Sequence, residues 1–349
     1  MKSVRTRTFA AAVTLAALIP GAAMAQSAEQ FYKGKNVNLY IGFAAGGSYD
    51  YYGRLVSRYM GRHLPGQPTV VAQAMPGAGS FKAANYIYNV APKDGTAMGI
   101  VSQTMALEEA LQTPGIQYKS AEFNWIGRLT NIIEVTLTWE TSKAKTVQDA
   151  MQYETPVAST GPGSPSMGYP LLVNAVAGTK FKIITGYPGS TDGMLAMERG
   201  EVDGALTSWN TLKVSKQNWL QGKKINILIQ YTFERSPELP NVPTIIEMGK
   251  SEQDKQMLAF YASGGEIGRS FLATPGIPAD RVKAMRAAFD ATMQDADFKA
   301  EIDKSKSEFN PLPGDQVQKL ILEMAKAPPA VIERMQAVLR TGAGESKNP

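Results

Sequence analysis

Four short segments share one design, and their placement constrains the fold more than any other feature of the chain. They are "FAAGGSYD" (Phe43 to Asp50), "PGAGS" (Pro76 to Ser80), "STGPGSPS" (Ser159 to Ser166) and "YPGSTD" (Tyr187 to Asp192). Each is rich in small and hydroxyl-bearing residues, follows an apolar run and precedes a stretch of helical period. "NVNLYIGF" leads into the first turn as a buried strand. "DYYGRLVSRYMGRHL" leaves it as a helix with Tyr52, Leu55, Val56 and Tyr59 on one face. "PTVVAQAM" and "FKAANYIYNVA" flank the second turn, and "TAMGIVSQ" is a third strand. The rhythm repeats through "TPVAST", "MGYPLLVNAVAG", "KFKIITGY", "MLAMERGE", "DGALTSW" and "KINILIQY", and the chain is helical from "ATPGIPADRVKAMRAAFDATMQ" onward. Strands alternating with helices specify parallel βαβ units and an α/β fold. Two such halves predict two similar lobes, each a central sheet flanked by helices, with a cleft where the strand C-termini face each other.

These turns are suited to holding an anion. Glycine lets backbone approach a ligand closely and adopt positive φ. The unpaired N–H groups of a helix start, backed by its macrodipole, favour negative charge. Ser48, Ser80, Ser164 and Thr191 could add hydroxyl donors, and Tyr49, in the turn itself, is the aromatic ligand candidate, whereas Tyr52 belongs to the core. Arg269 could grip a carboxylate with its two-pronged fork. Its position in "GEIGRSFLATPGIP", where the chain returns to the first lobe, favours a surface site outside the cleft. Asp203 in "GEVDGAL" is expected to brace a strand start.

Catalytic readings have little support. "GFAAGGSYD" lacks both the G-K-[ST] of a phosphate-binding loop and the G-x-G-x-x-G spacing. His63 is the one histidine and there is no cysteine, which leaves no Cys–His pair and no histidine-rich metal site. His63 reads as a solvated helix-end imidazole. "SPSMG" only resembles a nucleophile elbow, and "SKAK" matches S-x-x-K by common residues alone.

The N-terminus reads as an export signal: Lys2, Arg5 and Arg7, an apolar core from Phe9 to Ile19 too short to span a bilayer, and "AMA" before a cleavage site after Ala25. Removing it leaves 33 basic against 31 acidic residues, a net charge of about +2. That near balance gives no case for nucleic acid or an anionic membrane as partner. An exported chain without cysteine must be held by its core rather than by disulfides, and its length suits two domains.

"GFAAGGSYDYYGRLVSRYM", "MPGAGSFKAANYIYNVAPKDGTAMGI", "YPGSTDGMLAMERGEVDGAL", "ELPNVPTIIEMG" and "PGIPADRVKAMRAAFDATM" together resemble the Bug family, periplasmic receptors of tripartite tricarboxylate transporters. The resemblance implies a type II periplasmic-binding fold whose lobes close on a small carboxylate, commonly a dicarboxylate, an amino acid or an aromatic acid, without cofactor or metal. Binding is then by backbone, hydroxyls and water rather than by arginine. Carried over by position, the first-lobe ligand loops fall on Phe43, Ala45, Gly46, Gly47, Ser48 and Tyr49 and on Pro76, Gly77, Ala78, Gly79 and Ser80. The second-lobe loops fall on Ser159, Thr160, Gly163 and Ser164 and on Tyr187, Gly189, Ser190, Thr191 and Asp192. Ser102 and Ser208, at strand ends, are expected to face the cleft. The implied organisation is a signal peptide over 1–25, lobe 1 over 26–135, lobe 2 over 136–257, a return to lobe 1 with C-terminal helices over 258–340, and a disordered tail over 341–349. The expected product is a periplasmic, monomeric, non-enzymatic receptor delivering its ligand to membrane transporter subunits. The same fold serving a sensor kinase or another transporter class is the alternative, and an exported hydrolase or transferase is a third reading.

Overall fold

The computed structural model describes residues 27–345; the expected signal peptide and its cleavage site lie outside them. Two mixed sheets form the two domains. The first has the order β11-β4-β10-β3-β1-β2, with β1 Asn36–Ile41, β2 Thr69–Ala74, β3 Ala97–Ile100, β4 Asn124–Arg128, β10 Ser270–Ala273 and β11 Leu312–Pro313. The second has the order β7-β6-β8-β5-β9, with β5 Glu134–Trp139, β6 Thr155–Ser159, β7 Phe181–Thr185, β8 Gly204–Ser208 and β9 Ile225–Gln230. The parallel βαβ expectation holds for β2-β1-β3 and for β7-β6-β8. It fails at β5 and β10, which run antiparallel to both neighbours. The chain passes from the first sheet to the second between β4 and β5 and returns to the first at β10. A strand entering from the other lobe has no helical crossover to turn it around, so it inserts in the opposite sense.

Local sequence explains the elements around the cleft. β1 is buried on both faces as "VNLYI" requires. In the helix Ser48–Tyr59, Tyr52, Leu55, Val56 and Tyr59 are all buried, the spacing of one helical face. The helix Pro165–Ala177 is apolar nearly all round because it is covered twice. Sheet strands lie on one side, and on the other lies the C-terminal helix Pro329–Glu345, which puts Met335 into the core. The final helix therefore leans on the second domain and extends into the segment expected to fray. Arg334 ties it to Asp254 of the helix Glu252–Ala262.

A tyrosine-lined seam joins these parts. Tyr169 stacks on Tyr231 at 3.9 Å and meets Tyr261 edge-on at 4.9 Å. The Tyr261 hydroxyl donates to Glu108 Oε1 at 2.9 Å, and Thr113 Oγ1 donates to Glu108 Oε2 at 2.6 Å. Burial pushes the Glu108 carboxyl from an ordinary value near 4.5 up to about 7. An acid whose folded value is raised gives stability that is fully present below its unfolded value and lost as pH rises through the folded one. Urea-unfolding midpoints should therefore fall between pH 4.5 and 7 by more in the parent than in Glu108→Gln. Parallel pH profiles for the two proteins would refute this.

Candidate functional site

The C-terminal ends of β1, β6 and β8 converge on a cavity of about 50 Å³ between the sheets. Besides Trp209–Ser215, which Ser208 caps, three helices begin at its wall: Ser48–Tyr59, Pro165–Ala177 and Ser190–Glu198. None has a side-chain cap: Gly47, Ser164 and Gly189 occupy the N-cap positions without a side-chain hydrogen bond to the helix start. Elsewhere Ser27, Thr146, Ser251 and Asp295 cap their helices. Within their own helices the amides of Ser48, Tyr49, Asp50, Ser166, Ser190, Thr191 and Asp192 have no acceptor. The cavity wall is thus an arc of positive dipole ends contributed by both domains.

Hydroxyls add a second layer. Ser164 Oγ donates to the Gly161 carbonyl at 2.8 Å and lies 2.7 Å from Ser166 Oγ, which donates to Ser159 Oγ at 3.3 Å. Thr207 lines the cavity, and its buried hydroxyl has no partner. A polar atom left this way costs free energy unless something in the cavity bonds to it.

Arg269 is the main correction to the sequence reading. It is 1% exposed, not on the surface, and lines the cavity. Its Nε and Nη2 donate to Ser48 Oγ at 3.0 and 2.6 Å, and its Nη1 donates to Gln103 Oε1 at 2.7 Å. The guanidinium lies 3.7 Å over the Tyr49 ring, which stacks on Phe43 at 4.5 Å. Nη2 also reaches Glu134 Oε1 at 3.5 Å. Burial raises the Glu134 carboxyl above the usual range, against the pull of Arg269. The antiparallel insertion of β10 explains the position: it carries the residue just before Ser270 into the junction of the domains.

Of the residues expected from sequence, the structure brings eleven to the cavity: Phe43, Gly47, Ser48, Tyr49, Ser159, Thr160, Ser164, Tyr187, Gly189, Ser190 and Ser208. Ser208 also caps the helix that follows it, accepting from the Thr211 amide at 3.1 Å. Ala45, Gly46, Gly163, Thr191 and Asp192 do not line the cavity, and Ala45 and Gly46 are exposed. The positive φ of the first turn falls on Gly46 (+93°), not Gly47 (−90°). Gly46 packs on Thr191, whose Oγ1 is buried without a partner.

Pro76, Gly77, Ala78, Gly79 and Ser80 do not line the cavity, and the reason is steric. Gly79 (φ +62°) donates its amide to the Thr160 carbonyl at 3.1 Å, and a Cβ there would lie 2.5 Å from Gly163 C and Ser164 N. This loop is pressed against the other domain's backbone. Ser80 Oγ accepts from the Ser102 amide at 3.1 Å, and Ser102 Oγ pairs with Thr104 Oγ1, which donates to the Gly163 carbonyl at 3.1 Å. The second turn and Ser102 therefore build an interdomain contact. Sequence reasoning missed Glu134, and Thr207 gave no signal; Ser166, which also lines the cavity, closes the third of the four turns. His63 pairs with Asp295 at 2.9 Å, away from the cavity. Among the described residues no cluster of three metal-ligating side chains occurs.

The family model described as the tripartite tricarboxylate transporter family receptor matches residues 53–337. The chain belongs to that family. It is 25% identical to the "UPF0065 protein in gbd 5'region" of Cupriavidus necator, over 93% of this chain and 94% of the relative. Its fold is similar to that of the periplasmic binding protein BugD (TM-score 0.69, 18% identity, 89% of this chain and 99% of that one). It is also similar to MatC (Rpa3494) from Rhodopseudomonas palustris with bound malate (TM-score 0.66, 20% identity, 87% and 99%). R. palustris Rpa4515 with adipate is a further match (TM-score 0.65, 18% identity, 89% and 98%). The receptor thus has the periplasmic-binding-protein architecture expected from its sequence.

Proposed function

We propose that this receptor captures a small organic carboxylate in the periplasm and hands it to the membrane subunits of a tripartite transporter. The observation that carries the reading is the convergence of three uncapped helix N-termini, from both domains, on one cavity. Amides and dipoles arranged in this way favour an anion, and serine hydroxyls around them can complete its hydrogen bonds. Malate and adipate, bound by MatC and Rpa4515, are small carboxylates. A ligand that touches both walls binds the closed arrangement better than the open one and so biases the lobes toward closure. The ligand-contacting set we assign is Ser48, Tyr49, Ser159, Thr160, Ser164, Ser166, Ser190 and Thr207. The closed state is braced by the 76–80 loop.

A hydrolytic reading would need a base beside a cavity serine. Ser48 Oγ instead accepts from Arg269, and Ser164 Oγ donates to a carbonyl. We therefore assign binding without turnover. A thermal-shift series of mono-, di- and aromatic carboxylates tests both points. A ligand at a hundred times its dissociation constant should stabilise the fold by about 2.7 kcal/mol. It should also be recovered chemically intact by NMR after prolonged incubation. No shift with any carboxylate, or steady consumption of one, would overturn the assignment.

A further inference from the structure

The helix Met105–Ala110 follows β3 of the first sheet and is fastened to the second domain at two points. Just before it, Thr104 Oγ1 donates to the Gly163 carbonyl at 3.1 Å. One turn further on, Glu108 Oε1 accepts from the Tyr261 hydroxyl at 2.9 Å. Tyr261 stands on the helix Glu252–Ala262, which packs on Pro165–Ala177. Its hydroxyl fills the space that a Cβ at Gly168 would take, in the first turns of the helix that starts at the cavity wall. One carboxyl thus joins the first domain to that helix.

Glu108 is 2% exposed, and among the described residues no cation offsets it. Hydroxyls are its partners: Tyr261, and Thr113 at 2.6 Å. Tyr169 meets Tyr261 edge-on, and the nearby Tyr118 donates to the Met105 carbonyl at 3.0 Å. Glu109 turns to the Ser120 amide at 2.6 Å, and Glu122 pairs with Lys119. The neighbouring helix Gly314–Met324 buries Val317, Ile321 and Met324 and leaves Asp315, Lys319 and Glu323 exposed. Arg334, on the C-terminal helix whose Gln336 reaches the Leu111 carbonyl, is taken by Asp254. An ionised Glu108 is therefore an anion in a dry seam without a counter-ion, and parting the seam to admit water removes that cost.

We propose that Glu108 is a proton-operated latch between the domains: protonated, it holds the seam shut, and ionised, it favours opening. The sign follows from linkage. Burial raises the carboxyl from about 4.5 to about 7 while the seam is shut. Its contribution to the shut state is fully present below the solvated value and is lost as pH rises through the buried one. Closure around an anion, as proposed above, would by the same linkage draw a proton onto Glu108. The latch itself acts without ligand and does not depend on that reading.

The chain has no cysteine, so Gln73→Cys with Thr185→Cys puts one spin label on each domain, both at exposed positions. Pulsed dipolar spectroscopy of the ligand-free, doubly labelled protein should show the ratio of long to short distances rising tenfold or more between pH 4.5 and 7.5, about the change that one unit or more of pKa difference supplies. Adding Glu108→Gln, a neutral side chain of the same shape, should keep the short distance at both pH values. The labelled pair alone already tests the latch if that third substitution impairs folding. A distribution that does not change with pH, or the same response with Glu108→Gln present, would overturn the latch and leave the carboxylate site standing.

Discussion

Arg269→Ala should destabilise the receptor by about 3–5 kcal/mol, because it leaves Glu134 as an uncompensated buried charge. Only Ser48 and Gln103 would lose hydrogen bonds as well, so the charge is the larger part of the loss. Binding should fall with it, since Ser48 Oγ is fixed at the helix start by two of the guanidinium donors. Arg269→Lys should recover part of the stability, because an ammonium restores the charge but not the planar fork over Tyr49. Combining Arg269→Met with Glu134→Leu should be less damaging than Arg269→Ala alone, since both charges then leave together. Urea unfolding of the three variants provides the comparison. A single alanine variant within about 1 kcal/mol of the parent would mean that the pair is solvated and the buried description wrong.

Gly79 governs how closely the domains can meet. A side chain there suffers twice, from its φ of +62° and from a Cβ placed 2.5 Å from Gly163 C and Ser164 N. Backbone atoms cannot rotate away, so Gly79→Ala should hold the domains apart, raise the radius of gyration in small-angle scattering and weaken ligand binding by about tenfold or more. Gly178 supplies the control: its φ is +84°, but a Cβ there would meet nothing within 4 Å. Gly178→Ala should lose only the conformational term, about 1–2 kcal/mol, and keep its affinity. Equal affinity losses in the two variants would show that strain, not interdomain contact, is what Gly79 relieves.

Much of this architecture was legible because periodicity and turn chemistry are local. The "VNLYI" strand, the Tyr52-Leu55-Val56-Tyr59 face and the glycine turns at 43–50, 159–166 and 187–192 lie where residue pattern alone put them. What sequence could not supply was set by contacts between the domains. "PGAGS" shares the small, glycine- and serine-bearing character of the other turns, yet its small residues serve close backbone approach to the opposite domain rather than a ligand. Arg269 and Glu134 carry no local signal of burial. Arg269 immediately precedes the strand Ser270–Ala273 and Glu134 begins the strand Glu134–Trp139; both strands insert antiparallel, and the two residues meet only because both strands cross the same junction. The alternation in "EVTLTW" was the available clue to the second of these strands. The C-terminal helix leans on the second domain through contacts that lie far away in sequence.

The central claim is that one ligand is held at once by helix starts from both domains. Amide hydrogen exchange with and without a carboxylate found by thermal shift tests it most directly. The account predicts slowed exchange at three separate places, Ser48–Asp50, Ser166 and Ser190–Asp192, in the same titration and at the same ligand concentration. Protection confined to one domain, or located away from these three helix starts, would contradict it.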